Sequence, residues 1–276
     1  MAGLEKHLNR EGMKLDLIFV NATPDIHLGY NSLASQAERV DMFDRFLEGS
    51  TAQVQPDAIA IACNTLSVLY DKTRFAKTNT VPVYSIVEAG VELSKQYLAD
   101  HDDDGFIIFG TETTIEAGTY AQRIGSALKK PPISQACPNL ASSISADPSG
   151  QACRELLRGY AAEALNAFDT PPESAAALLA CTHYGYQRSV FEDVLKSQGI
   201  DTTILNPNDL MVSRLIEELD LEPDMEKGEL AIRCMSRFQI PENEVDSMTQ
   251  YLQEGSPLTL AALSELQVIS DLFVLP

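Results

Sequence analysis

Short apolar runs alternate with helix-length segments along most of this chain. That alternation constrains the fold more than any other feature. Leu15–Val20 and residues 58–62, 80–84, 106–109, 133–136, 177–180 and 202–205 read as strands. Residues 35–48, 67–74, 86–99, 115–128, 151–168, 187–197 and 209–218 carry helical spacing and good helix formers. Strands that alternate with helices in this way predict α/β architecture, with parallel sheets covered on both faces. Residues 2–10 read as a helix, and residues 138–149 as a loop. Residues 243–252 and 258–272 look helical, and residues 222–229 are acidic.

Two of the apolar runs end alike. Ile59-Ala60-Ile61-Ala62 leads into Cys63-Asn64-Thr65, and Ala177-Leu178-Leu179-Ala180 leads into Cys181-Thr182-His183. This repetition points to two related α/β units. In open sheets of this kind, ligands bind beyond the carboxyl ends of the strands. The expected domains are residues 1–88 with 206–276, and residues 89–205.

Composition narrows the function. The 276 residues are 45 % hydrophobic and 22 % charged, as in a globular protein. Forty acidic residues against 20 basic ones give a net charge of -20. This argues against general affinity for nucleic acid or an anionic membrane. No run approaches the ~18 apolar residues of a membrane span. The start, with Glu5, Lys6, Arg10 and Glu11, lacks the apolar core of a signal peptide. The odd number of cysteines, at unpaired spacings, fits a reducing cytoplasm.

A cysteine just before a helix meets unsatisfied N–H groups and the positive dipole end, both of which favour thiolate. The same N–H groups hold a carboxylate, and Asn64, Thr65 and Thr182 add side-chain donors. A thiolate and a thiol on opposite faces of a bound α-carbon would remove a proton from one side and deliver one to the other. The plainer alternative is that both cysteines are small packing residues, as Cys137, Cys153 and Cys234 are expected to be. A zinc site using Cys63, Cys181, His183 and His27 is a further alternative, as is a Cys-His nucleophile. Residues 110–114, Gly-Thr-Glu-Thr-Thr, either bind an anion or simply cap a helix through Thr113 or Thr114. Asp25 and His27 are candidates by loop position.

These residues resemble a known family. Ala62-Cys63-Asn64-Thr65 and Ala180-Cys181-Thr182-His183-Tyr184 resemble the paired cysteine motifs of the aspartate/glutamate racemase superfamily. His183 brings the chain closest to its glutamate branch. Residues 110–120 resemble the threonine-rich stretch between the motifs, ending in Gly118-Thr119-Tyr120. The region Gly29-Tyr30-Asn31-Ser32 resembles the family's substrate-side loop. The resemblance implies two pseudo-symmetric, flavodoxin-like open parallel-sheet domains with the substrate in the cleft between them. It implies a cytoplasmic, homodimeric racemase without cofactor or metal, which would supply D-glutamate for peptidoglycan. By resemblance Cys63 and Cys181 are the catalytic pair and His183 assists Cys181. Asn64, Thr65, Thr113, Thr114, Thr182, Gly29 and Tyr30 would bind a small amino-acid substrate.

Two departures accompany the resemblance. The family opens with a strand and an Asp-Ser-Gly turn ahead of Leu15–Val20, for which this sequence shows no counterpart. The expectation is that the sequence begins late, or that the first domain is rebuilt by its C-terminal tail or another subunit. The family's Glu after Cys-Pro has no counterpart in Cys137-Pro138-Asn139-Leu140-Ala141-Ser142-Ser143-Ile144-Ser145. Racemisation of aspartate or hydantoin-type substrates, or amino-acid binding without catalysis, remain the competing readings.

Overall fold

The computed structural model describes residues 1–11, 15–26, 28–101, 105–219, 230–252 and 255–275. Its strands are β1 (Leu15–Val20), β2 (Ile59–Ile61), β3 (Val83–Ser85), β4 (Gly105–Gly110), β5 (Ile133–Ala136), β6 (Ser174–Ala180), β7 (Asp201–Leu205), β8 (Leu230–Ser236) and β9 (Gln267–Val268). The chain divides into two units. The first holds Met1–Ile59, Leu69–Pro82 and Val212–Pro276, and the second holds Ala60–Val68 and Val83–Met211.

The second unit is built on a parallel sheet of order β5-β4-β6-β7. Every residue of β4 is buried, as is every residue of β6 after Ser174. An all-apolar run is what a strand covered on both faces requires. Helix Arg188–Ser197 buries Val190, Phe191, Val194 and Leu195. Phe191 meets Phe109 edge-on at 5.6 Å and Tyr184 at 5.5 Å. Each such side chain contributes about 1.5–3 kcal/mol on burial.

The first unit carries the parallel sheet β1-β8-β9. Cys234 of β8 packs with Leu252, Ala262 and Leu263, and Met248, Leu260 and Leu266 close around them. Helix Gln36–Val54 begins at Ser35, whose hydroxyl accepts from Glu38 N at 3.2 Å. Glu38 in turn accepts from Ala34 N at 3.1 Å. Pro82 stands just ahead of β3, where its missing N–H costs no ladder bond, and its carbonyl accepts from Ile59 N at 2.9 Å.

Several elements differ from expectation. The helix expected over 115–128 is two helices, Glu112–Ala117 and Thr119–Ile124, and a single 3-10 turn, Gly125–Ala127. The first break falls at Gly118, whose φ of 65° leaves the helical region. The expected loop at 138–149 contains helix Leu140–Ala146, which buries Leu140 and Ile144 one turn apart. The helix expected over 258–272 spans only Pro257–Ser264. Beyond it, Gln267 and Val268 pair with Met235 and Ser236, which extends the sheet at the last two residues of β8. Strand β8 itself was not anticipated. The acidic stretches at 102–104 and 222–229 lie outside the described residues.

Candidate active site at the strand ends of the second unit

The register of the second sheet brings its carboxyl ends level. Gly110 of β4 pairs with Ala180 of β6 and with Ala136 of β5. Thr111, Cys181 and Cys137 therefore leave three neighbouring strands together, and Cys137 N donates to Gly110 O at 2.8 Å. Strand β2 ends through Ala62 and Cys63 into helix Asn64–Tyr70. Both cysteine turns thus belong to the same unit.

Three hydrogen bonds hold the Cys63 turn against the others. The Thr65 and Thr111 hydroxyls lie 2.8 Å apart. The Thr182 hydroxyl donates to the Ala62 carbonyl at 2.6 Å. The Tyr120 hydroxyl donates to Asn64 Oδ1 at 2.6 Å. The Thr182 bond joins the residue after one cysteine to the residue before the other. Asn208 Nδ2 braces the same turn by donating to Thr182 O at 3.1 Å.

The thiols do not follow the simple helix-dipole expectation. Burial pushes Cys181 up to about 12, against the pull of the backbone donors of His183 and Tyr184, and charge on Cys63 raises it further. Cys63 is solvent-exposed. The protein around it still raises its pKa, opposed by the Leu66 and Thr65 backbone donors and the Thr65 hydroxyl. Water reaching this thiol tempers that push. Desolvation therefore outweighs the favourable donors at both sites. His183 Nδ1 lies 3.8 Å from Cys181 Sγ. The imidazole reaches solvent, but neighbouring protein depresses its pKa, which favours the neutral ring at neutral pH.

The polar residues around the thiols are largely buried. Asn64, Thr65, Thr113 and Thr114 are at most 6 % exposed. Thr111, rather than Thr113 or Thr114, caps helix Glu112–Ala117 and accepts from Thr114 N. Its hydroxyl also lies 2.9 Å from that of Thr114, giving the chain Thr65–Thr111–Thr114. The Asn64 carboxamide leaves Nδ2 buried without a hydrogen-bond partner among the described residues. Tyr120 and Asn208 join the site without having been singled out for it, whereas Thr111 lies in the 110–114 segment read as an anion site or a helix cap. Tyr120 left a trace in the sequence at the end of the threonine-rich stretch.

Gly29 and Tyr30 belong to the first unit. There Tyr30 packs edge-on against Phe43 at 6.3 Å. Asp25 forms a bridge with Leu28. His27, needed for the zinc alternative, lies outside the described residues. Among the described residues, no group of three or more His, Cys, Asp and Glu is placed to hold a metal ion. Cys153 is fully buried inside helix Gln151–Asn166, as a packing residue would be.

Comparison with known proteins gives a consistent picture. A model of the Asp/Glu/Hydantoin racemase family matches residues 4–210. The glutamate racemase of Chlorobaculum parvum is 31 % identical over 169 residues, which cover 60 % of this chain and 57 % of that protein. The chain therefore spans little more than half the length of that relative. The glutamate racemase of Campylobacter jejuni is 26 % identical over 212 residues, 75 % of each chain. Among solved structures, glutamate racemase from Francisella tularensis in complex with D-glutamate superposes with a TM-score of 0.72. It covers 98 % of this chain and 93 % of that one at 21 % identity, a likeness of fold.

Proposed function

Because the chain belongs to the Asp/Glu/Hydantoin racemase family, we propose that it interconverts L- and D-glutamate with Cys63 and Cys181 as its proton-transferring pair. The observation that carries this reading is the 2.6 Å bond from Thr182 to the Ala62 carbonyl, which ties the two cysteine turns together. One thiolate takes the α-proton, and the C–H bonding pair delocalises into the substrate's α-carboxylate. The other thiol then delivers its proton to the opposite face of the carbon. The sulfurs exchange protonation states, and the reverse reaction runs with the roles swapped.

The raised thiol pKa values divide the labour. Cys181 rests protonated and is the ready donor. Cys63, exposed and supplied with donors by Thr65 and Leu66, is the more accessible base. Neutral His183 beside Cys181 accepts its proton when that thiol must become the base. Asn64, Thr113, Thr114 and the Thr65–Thr111 hydroxyl pair supply donors for carboxylate oxygens, including those of the enediolate. The reaction in this reading needs no pyridoxal phosphate and serves D-glutamate supply for peptidoglycan in the cytoplasm. A homodimer is expected on family grounds.

Cys63→Ser and Cys181→Ser test the mechanism, because a serine hydroxyl is far too weak an acid to exchange roles with a thiol. Each variant should lose at least ~100-fold in racemisation, the scale of a lost acid or base. α-Proton exchange with deuterated solvent, followed by NMR, provides the check. Full activity in either variant refutes the two-thiol mechanism. Glutamate binding without exchange in the unaltered protein supports a binding protein instead.

A further inference from the structure

We propose that Tyr120 is a positioning residue for substrate binding, acting through the carboxamide of Asn64. This rests on the reading of the site as a glutamate racemase centre. Asn64 is 2 % exposed and opens the helix that follows Cys63. A free carboxamide can turn over and exchange its oxygen for its nitrogen, presenting an acceptor where a donor is needed. The Tyr120 hydroxyl donates to Oδ1 at 2.6 Å. That bond commits the oxygen and leaves the hydrogens of Nδ2, which has no hydrogen-bond partner among the described residues, for the substrate. An N–H donor fixed in this way suits a substrate carboxylate oxygen.

The local backbone is shaped to bring the phenol there. Helix Glu112–Ala117 stops at Gly118 in the left-handed region, and a new helix starts at Thr119 with Tyr120 in its first turn. Helix Ile86–Leu98 admits the phenol through Gly90. A Cβ at Gly90 would meet the Tyr120 hydroxyl at 2.6 Å and its ring at 2.7 Å. The ring is 2 % exposed, and burial raises the pKa of the hydroxyl, so it remains a donor throughout the working range.

Tyr120→Phe keeps the ring and removes only the hydroxyl. We expect the KM for glutamate to rise roughly fivefold to tenfold, the effect of one buried hydrogen bond, with kcat changed less than twofold. In an Asn64→Ala background the same substitution should leave KM unchanged, because the group it orients is gone. Thermal unfolding of each variant accompanies the kinetics. Gly90→Ala, which crowds the hydroxyl, should reproduce the rise in KM. If the unaltered protein turns over no glutamate, the reading of the site falls and the proposal falls with it. If it turns over glutamate and Tyr120→Phe leaves KM unchanged, the proposal alone is overturned. An equal rise in KM in the Asn64→Ala background also overturns it, as does loss of thermal stability with no change in KM.

Discussion

Protonation at the thiols decides when this site can work. Burial raises Cys181 to about 12 and raises Cys63 above its ordinary value. One sulfur must be ionised for proton abstraction to begin. The value of kcat/KM should therefore climb with pH through neutrality and show no plateau below about 8.5, the ordinary thiol pKa. A pH–rate profile on glutamate provides the check, and a plateau near pH 7 would mean that the local donors outweigh burial. The accessible range has an upper limit. Cys153 and Cys234 are each raised by burial to about 11. The folded protein keeps these protons after the unfolded chain has released them. Their contribution to stability is intact below about 8.5 and is lost as pH rises towards 11. Rate measurements above pH 9 therefore need a parallel measurement of folding.

Single elements are joined by contacts that local pattern does not announce. Helix Pro257–Ser264 has Ser256 in the capping position, yet that side chain makes no capping bond. Fully buried Glu5, from helix Ala2–Glu11, takes its place. Glu5 Oε1 accepts from Leu258 N at 2.8 Å, and Oε2 accepts from Thr259 N at 2.8 Å and the Thr259 hydroxyl at 2.6 Å. A carboxylate at a helix N-terminus is favoured by both the orphan N–H groups and the dipole. Glu5→Ala strands these buried donors and should cost about 3 kcal/mol in urea unfolding, and Glu5→Gln less. A change below about 0.5 kcal/mol would show that water replaces the carboxylate. This contact joins residues more than 250 positions apart, which no local pattern announces. Strands β4 and β6 were legible because burial on both faces demands unbroken apolar runs. The cysteine turns were legible because strand, thiol and helix follow one another locally. Leu230, Ile232 and Cys234 of β8 do alternate, but the partner is β1 at the other end of the chain. Leu140 and Ile144 likewise stand one turn apart amid serines that read as loop. The Tyr120–Asn64 and Thr65–Thr111 bonds join distant segments and could not be read from either segment alone.

At the scale of the whole molecule, charge is the dominant unbalanced quantity. A net charge of -20 makes the folded chain repel itself. Salt screens that repulsion, but it also screens attractive pairs, so the sign of its effect depends on which is larger. The pairs Arg45–Asp41, Arg188–Glu192 and Arg214–Glu218 are partly exposed neighbours one helical turn apart, each contributing at most about 0.5 kcal/mol. The Arg154–Asp193 and Arg233–Asp16 pairs are also substantially exposed. Arg74–Asp44 is better protected on one side: Asp44 is buried and also accepts from Phe75 N at 2.8 Å, while Arg74 is exposed. Arg123 and Glu88 are joined by two guanidinium–carboxylate bonds but are also partly exposed, and these pairs together do not offset an excess of twenty negative charges. Raising sodium chloride from about 20 mM to about 500 mM shortens the screening length from roughly 20 Å to roughly 4 Å. The thermal unfolding midpoint should therefore rise over that range by a few degrees. A fall would show that the surface pairs, Arg74–Asp44 foremost, stabilise the fold more than their exposure implies. The variant Arg74→Gln, which removes the pairs with Asp44 and Glu48, would then reduce the fall in midpoint with salt.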